Sequence, residues 1–337
     1  MKKYERIMLA HGSGGQLMHE LIDEFFVSKF SNPFLNLLND QAQIEINGTK
    51  LAFTTDSFVV NPLFFPGGDI GRLAVFGTVN DLSVGGAIPK YISLAFIIEE
   101  GFLVADLEKI VLSIKKAAIE ADVQIVTGDT KVVNKGAVDK IFINTAGIGF
   151  IPRDISISVL NIRPGDKVIV SGTIGDHGIA IMAERERMKF EKQIKSDLAP
   201  LNILVQDMLA VGNDIHAMRD PTRGGLGTTL NEFAKQVKVG IIIDEESIPL
   251  KEEVAAACEL FGLDPLYSPC EGRLIAIVPP NQAEIVLETM RKNPLAQDAA
   301  LIGEVVDDHP NLVRMKTRIG GMRIVDMLVG EQLPRIC

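Results

Sequence analysis

Apolar positions along this chain switch between a period of two and a period near 3.6, and the switches separate strands from helices. Residues 43–46 and 51–54 alternate around Asn47-Gly48, a dipeptide suited to a tight hairpin turn. Asp69 stands at the N-cap position of a helix through Leu73, Val75, Phe76 and Val79 that ends at Gly85-Gly86. Residues 91–98 read as a buried strand. From 106 to 121, apolar residues fall at 107, 110, 111, 114, 117 and 118, the stripe of an amphipathic helix. Strands return at 124–127 and 141–150, and Arg163-Pro164-Gly165-Asp166 turns the chain into a strand at 167–171. The style then repeats: strand 240–244, helix 251–261, strand 274–278, helix 282–292, strand 300–306. No short repeat or low-complexity segment interrupts it. The pattern predicts two α/β domains, 1–160 and 161–319, meeting near 152–164, followed by a flexible tail, 320–337.

A length of 337 residues agrees with two cores rather than one. With 47% hydrophobic and 23% charged residues the composition is that of a soluble globular protein. No apolar run approaches the roughly 18–20 residues needed to cross a bilayer. Met1-Lys2-Lys3-Tyr4-Glu5-Arg6 leads into only four apolar residues before His11, too few for a signal peptide. Three cysteines, Cys258, Cys270 and Cys337, argue against a disulfide framework and for a reducing cytoplasm. A net charge of −10 without a basic run argues against nucleic acid and anionic membrane as partners. An anionic ligand stays open, because local groups or metal ions can supply positive charge.

The common nucleotide and hydrolase signatures are missing. There is no Gly-Lys dipeptide and hence no P-loop, no G-x-G-x-x-G, no zinc-ligand spacing and no G-x-S-x-G elbow. Aspartates at the ends of apolar segments stand out instead. Asp40 follows Leu37-Leu38-Asn39, and Asp56 ends the strand that begins at Leu51. Asp81 sits inside Thr78-Val79-Asn80-Asp81-Leu82, Asp129 ends Ile125-Val126-Thr127-Gly128, and Asp220 opens Asp220-Pro221-Thr222-Arg223-Gly224-Gly225. Carboxylates converging on one cleft would bind Mg²⁺ and bridge it to phosphate. Taken singly, each reads better as a turn or cap residue, except Asp81, which lies within a helical pattern where capping cannot serve. Gly12, Gly14 and Gly15, in His11-Gly12-Ser13-Gly14-Gly15, can wrap a phosphate ahead of a helix starting at Gln16, or form a flexible loop. Thr222-Arg223-Gly224-Gly225 is a second possible anion site. Lys131 can neutralise a transferring phosphoryl group or simply be solvated.

The segments His11-Gly12-Ser13-Gly14-Gly15, Pro62-Leu63-Phe64-Phe65-Pro66-Gly67-Gly68, Asn80-Asp81-Leu82-Ser83, Val126-Thr127-Gly128-Asp129-Thr130-Lys131-Val132-Val133, Ser171-Gly172-Thr173-Ile174-Gly175-Asp176-His177-Gly178 and Leu333-Pro334-Arg335-Ile336-Cys337 occur in that order. In them the chain resembles the HypE family of hydrogenase maturation factors. The resemblance implies the fold of aminoimidazole ribonucleotide synthetase, selenophosphate synthetase and thiamine-monophosphate kinase. That fold has an N-terminal mixed-sheet domain and a C-terminal α/β domain, here with a flexible C-terminal tail. Its subunits form a homodimer through N-terminal strands, and ATP lies in a long cleft without a P-loop. By the same resemblance Asp40, Asp56, Asp81, Asp129 and Asp220 match acidic positions around Mg²⁺ and phosphates, and Asn80 and Lys131 match positions lining the nucleotide. The family's C-terminal cysteine, here Cys337, accepts a carbamoyl group from the carbamoyltransferase HypF. ATP phosphorylates the amide oxygen, and loss of N–H protons and phosphate leaves a thiocyanate. The cyanide passes to the HypC–HypD complex for the iron of [NiFe]-hydrogenase. Glu271, a surface turn residue by spacing alone, matches the family's Glu before Gly272 and so becomes the expected base. Cys270 departs from the family, which commonly has Asn there. For Cys337, its own α-carboxylate disfavours the thiolate and Arg335 partly offsets this. The sixteen residues from Met322 to the end span at most about 53 Å when extended, enough for a carrier arm that buries Leu333, Pro334 and Ile336 on docking.

Overall fold

The computed structural model describes residues 5–212, 214–330, 333 and 335–337; the expectations placed on residues 1–4 and on Pro334 fall outside the described residues. The chain opens with a 3₁₀ turn, Leu9–Gly12, then α1 (Gln16–Leu21), which runs through a π turn at Ile22–Val27 into the short α2 (Ser28–Phe30). β1 (Ala42–Ile46) and β2 (Thr49–Phe58) form the expected hairpin. Its two turn residues both have positive φ, 51° at Asn47 and 77° at Gly48, the backbone that matches a two-residue turn to strand twist.

A two-stranded ribbon, β3 (Phe64–Phe65) with β4 (Gly68–Asp69), delivers the chain to α3 (Ile70–Val84). Asp69 caps α3 as its position predicts, accepting from the N–H groups of Gly71 (2.7 Å) and Arg72 (3.1 Å). α3 is apolar around its whole circumference and buried along almost its whole length, as a helix without a polar face must be. It packs between α4 (Val104–Glu120), α6 (Asn202–Val211) and a mixed sheet ordered β1-β2-β7-β5-β6, with β5 at Ile88–Glu99, β6 at Gln124–Val133 and β7 at Ile141–Ile151. Among the described residues, helices cover only the α3 side of this sheet. Along β7 buried and open residues alternate, and the outer face shows Phe53, Tyr91, Ile97, Ile148 and Phe150 to solvent. The apolar run at 91–98 is therefore half-open rather than buried on both faces.

The second sheet has seven strands, ordered β14-β13-β10-β12-β8-β11-β9 and antiparallel except between β10 and β13. Its strands are β8 (Lys167–Val170), β9 (Ala217–Arg219), β10 (Gly240–Asp244), β11 (Ile275–Val278), β12 (Ala300–Val306), β13 (Val313–Lys316) and β14 (Met322–Val325). Both faces are covered. α7 (Gly225–Val237) sets Leu226, Leu230 and Phe233 against Val168, Val170 and Ile241. On the other face α6 and α9 (Pro280–Lys292) pack Leu204, Met208, Val286 and Met290 against Ile169, Ala276 and Val278, in a core that extends to Leu82 and Ala52 of the first half. α5 (Asp176–Arg185) and α8 (Glu252–Phe261) make a smaller cluster. Because β14 belongs to this sheet, the free arm starts after Val325, not at Gly320. Its tip returns to the first half, where Ile336 is 3% exposed in the core.

Candidate active site

A cavity of about 1000 Å³ opens between the two halves, and its floor follows from the period of β2. Ala52, Thr54, Asp56 and Phe58 share the face toward α3, and α3 meets them with Asp81 on its last turn. The Thr54 hydroxyl lies 2.9 Å from Asp81 Oδ2 and 2.8 Å from the main-chain oxygen of Asp40. Asp220 follows β9 into the same space, and Asp40 enters just before β1. Four of the five expected aspartates are thus brought together.

Their electrostatics are those of buried carboxylates crowded together. Burial, reinforced by Asp56, Asp220 and Asp40, lifts the Asp81 carboxyl well above the usual carboxylate range. Burial and Asp40 do the same to Asp220, and burial raises Asp56 and Asp40. Charge is partly balanced by two arginines. Arg219 is buried and holds Asp40 at 3.2 Å and Glu232 at 2.5 Å; Glu232 in turn meets His19 of α1 at 2.8 Å. Arg223 opens into the cavity, its protonated form favoured first by Cys337 and then by Asp56, Asp81 and Glu271. Arg219, Glu232 and His19 escaped the sequence reading; the one signal for Arg219 is its place at the end of a short buried strand beside Asp220.

Among the described residues, no group of three or more acidic, histidine or cysteine side chains is arranged to hold a metal by itself. The set still fits Mg²⁺, which typically takes one or two carboxylates and completes its shell with water and substrate phosphate.

The arm closes this cavity. The Val59 N–H donates to a main-chain oxygen of Cys337 (3.0 Å) and the Asn61 N–H to the Arg335 carbonyl (3.3 Å). Arg185 grips the carbonyls of Asn61 and Arg335, and Arg335 reaches the Val59 carbonyl (2.9 Å) and Asp139 (2.6 Å). His177 Nε2 lies 3.0 Å from the Ile336 carbonyl and so carries the proton, leaving Nδ1 to accept from Ser196 at 2.8 Å. Burial keeps that ring neutral, with its pKa lowered to about 4. Cys337 itself lines the cavity with Asp56, Asp81, Arg223 and Glu271. Burial pushes its thiol up to about 12, and Arg223 offsets only part of this.

Residues 38–151 match the N-terminal domain of the family described as AIR synthase related protein, and residues 163–315 match its C-terminal domain. The carbamoyl dehydratase HypE of Rhizobium leguminosarum bv. viciae is 54% identical over 333 residues, covering 98% of this chain and 95% of that protein. The chain belongs to the HypE family. The carbamoyl dehydratase HypE of Escherichia coli K12 is 47% identical over 98% of this chain and 99% of its own. Among solved structures of the family, hydrogenase maturation protein HypE in complex with ATP superposes with a TM-score of 0.84 at 48% identity, covering 98% of this chain and 100% of that one. A HypE–HypF complex gives 0.87 at 50% identity, covering 91% and 99%. The fold is the synthetase-like one that the resemblance implied.

Against that family frame, several residues stand elsewhere than expected. Asn80 does not line the cavity. It is wholly buried, its amide donating to the carbonyls of Ala199 (3.1 Å) and Glu271 (3.0 Å) and its oxygen accepting from Leu201 (2.8 Å). Asp129 and Lys131 pair with each other at 2.9 Å on β6, both more than 60% exposed. The register runs Asp56, Thr145, Leu94, Gly128 across the sheet, so three strand spacings, about 14 Å, separate this pair from Asp56. Of the glycine loop only Gly14 lines the cavity. Its N–H points to Met18 Sδ (3.2 Å) and the Gln16 N–H to the Leu328 carbonyl (2.7 Å), so those two donors do not face a phosphate. Gly12 lies open, and Gly15 abuts the Leu328 carbonyl.

Glu271, by contrast, lines the cavity. It is 2% exposed, and its Oε1 has no hydrogen-bond partner among the described residues. Burial, then Asp220, Asp197 and Asp56, raise its carboxyl well above the ordinary range, making it a stronger base once ionised. Cys270 beside it turns the other way. Its sulfur accepts the Gly175 N–H at 3.2 Å within the core under α7, and burial keeps it a neutral thiol.

Proposed function

We propose that this chain uses ATP to dehydrate a carbamoyl group carried on Cys337 into a thiocyanate, the cyanide donor in [NiFe]-hydrogenase maturation. One observation carries the reading: the arm sets a thiol into the cavity that holds an unpartnered carboxylate and four crowded aspartates. A small-molecule kinase of the same fold would need the aspartates but not the thiol.

Loading requires a thiolate, which the docked cavity disfavours, so carbamoyl transfer from HypF takes place with the arm out in solvent. Once the loaded arm docks, the thiocarbamate is neutral and the penalty on the sulfur disappears. The amide oxygen attacks the γ-phosphorus and ADP leaves. The nitrogen lone pair forms the first C–N π bond as the oxygen is phosphorylated; Glu271 then takes one N–H proton, and loss of the second with cleavage of the C–O bond forms the second π bond, expels phosphate and leaves S–C≡N. Asp56, Asp81 and Asp220, with Asp40 behind Arg219, would hold Mg²⁺ against the phosphates, where it supplies charge neutralisation. Arg223 faces the same group from the side of the thiol and steadies the phosphorylated intermediate.

Asp129 and Lys131 have a place in this reaction only if a second copy supplies them. The outer sheet face exposes aromatic and β-branched residues, and β6 is an unpaired edge. Both are features that a homodimer would cover. We therefore assign Lys131 to the partner's nucleotide. Delivery of the cyanide to HypC–HypD and a cytoplasmic location complete the proposal. Consistent with it, no described helix is long and apolar enough to cross a membrane, and all three cysteines are free. The working units are residues 1–160 and 161–325, the second now including β14, with the arm following Val325.

Intact-mass spectrometry after incubation with HypF, carbamoyl phosphate and MgATP tests the proposal. The expected sequence is the gain of one carbamoyl group, followed by loss of one water for each ATP hydrolysed. Stable carbamoylation with no ATP-dependent loss would make the chain a carrier and not a dehydratase.

A further inference from the structure

The loop that carries Glu271 is held through its backbone by two side chains that never reach the cavity. Asp197, whose side chain is wholly buried, accepts the Glu271 N–H at 3.2 Å on one oxygen and the Gly272 N–H at 3.4 Å on the other. Arg273 lies 3.8 Å away as its counter-charge. From the opposite side Asn80 donates to the Glu271 carbonyl while its remaining hydrogen bonds tie it to Ala199 and Leu201. Cys270 N–H completes the set on the Pro221 carbonyl at 3.0 Å. Gly272 admits this closeness, since a Cβ there would sit 1.9 Å from the Asp197 carbonyl oxygen. The Glu271 side chain, in contrast, has an oxygen that no described residue holds. The backbone is fixed and the carboxylate is left free to react.

Asn80 also precedes Asp81 in α3. One turn of one rigid helix therefore sets the phosphate-side carboxylate and the clip beneath the base.

We propose that Asn80 and Asp197 are positioning residues that fix Glu271 for the dehydration step. The inference rests on the base role given to Glu271 above. Neither residue lines the cavity, so neither can touch ATP or Cys337 directly; each acts through the Glu271 loop. A displacement of about 1 Å at a reacting group can cost on the order of 10²-fold in rate.

The test is single-turnover dehydration of pre-carbamoylated protein with MgATP, followed by mass. Asn80→Ala is expected to slow conversion about 10²-fold while affinity for a fluorescent ATP analogue and carbamoyl loading by HypF stay unchanged. In a Glu271→Gln background, Asn80→Ala should cause no further loss, because residues acting as one unit are not additive. Should Asn80→Ala fail to fold, Asp197→Asn gives the same readout. It keeps the volume and one acceptor but sets an amide N–H against a backbone N–H. Weakened nucleotide binding, or a second loss on top of Glu271→Gln, would overturn the positioning role in favour of general structural damage. Impaired Glu271→Gln with full rates in both other variants would overturn the positioning role alone. Full rate in Glu271→Gln would remove the base assignment, and this inference with it.

Discussion

Asp81 and Asp129 are both carboxylates set among apolar residues, one inside a helical pattern and one at the end of a strand, and the fold treats them in opposite ways. Asp81 projects from a buried helix into a cavity shared with Asp56, Asp220 and Asp40, and burial with like charge raises its pKa. Asp129 lies on an open edge strand, where hydrogen bonds from Lys131 and the Thr130 backbone lower its pKa. The difference lies in what faces each strand and not in the residues beside it in sequence. A carboxylate that the protein crowds at its own expense implies a ligand that relieves the crowding. One that satisfies itself with a neighbouring lysine implies nothing until something covers it.

The largest expected effect removes the cargo from the crowded side. Cys337→Ala leaves all four cavity aspartates in place, so nucleotide binding should persist while carbamoyl loading falls to background by intact mass. Loading at the wild-type level would mean another residue carries the group and the cavity has lost its substrate.

Next in size is Asp81→Asn, which should lower ATP-dependent dehydration by about 10²–10³-fold, as for removal of one preorganised electrostatic group. The same change should stabilise the nucleotide-free protein. A carboxyl whose folded pKa is raised contributes stability below its unfolded pKa and loses it as pH rises through the folded value. Above the unfolded pKa the folded carboxyl costs stability, whether it ionises in the crowd or takes up a proton, and Asn removes that cost, about 0.5–2 kcal/mol. The gain should shrink as the pH is lowered toward about 4, where the unfolded-state carboxyl also binds its proton. Thermal unfolding of both proteins across that range checks the sign. Destabilisation at neutral pH would show that Asp81 is not crowded.

Much of this was legible in sequence, for reasons that differ by element. The hairpin at Asn47-Gly48, the Asp69 cap and the stripe of α4 are local physics, and the structure keeps them. Asp81 was legible because a charge inside an apolar helix conflicts with its surroundings. Asn80 was expected at the nucleotide because it matches a position of the family that lines it, yet neighbours on a helix point about 100° apart, and beside Asp81 its amide turns under the Glu271 loop. Arg219 and Asp197 were invisible for a related reason. Each takes its role from a segment distant in sequence, Arg219 from Asp40 and Asp197 from Glu271, and no local period encodes such pairings. The start of the arm was misplaced because Met322–Val325 is a short strand that exists only by pairing with β13.

The smallest expected signal decides the open side of the comparison. If Lys131 serves its own chain, a chain bearing Cys337→Ala and a chain bearing Lys131→Ala are both inactive, and mixing them changes nothing. If Lys131 reaches across a homodimer, the mixed dimer contains one cavity with an intact thiol facing an intact lysine from its partner. Random exchange makes about half of the dimers mixed, with one competent site in each, so about a quarter of the sites should recover. The measurement is thiocyanate formed per chain after the two variants are co-refolded or exchanged at high concentration, with the unmixed proteins as baseline. Dilution that dissociates the dimer should remove the recovered activity. The geometry makes the outcome sharp, because three strand spacings, about 14 Å across the sheet, and a further three residues along β6 separate Lys131 from Asp56 within one chain, beyond the reach of a lysine side chain. Recovery would make the exposed Asp129–Lys131 pair half of a site completed by a second copy. Full activity of Lys131→Ala alone would leave it a solvated pair on an edge strand, and the cavity aspartates would act without it.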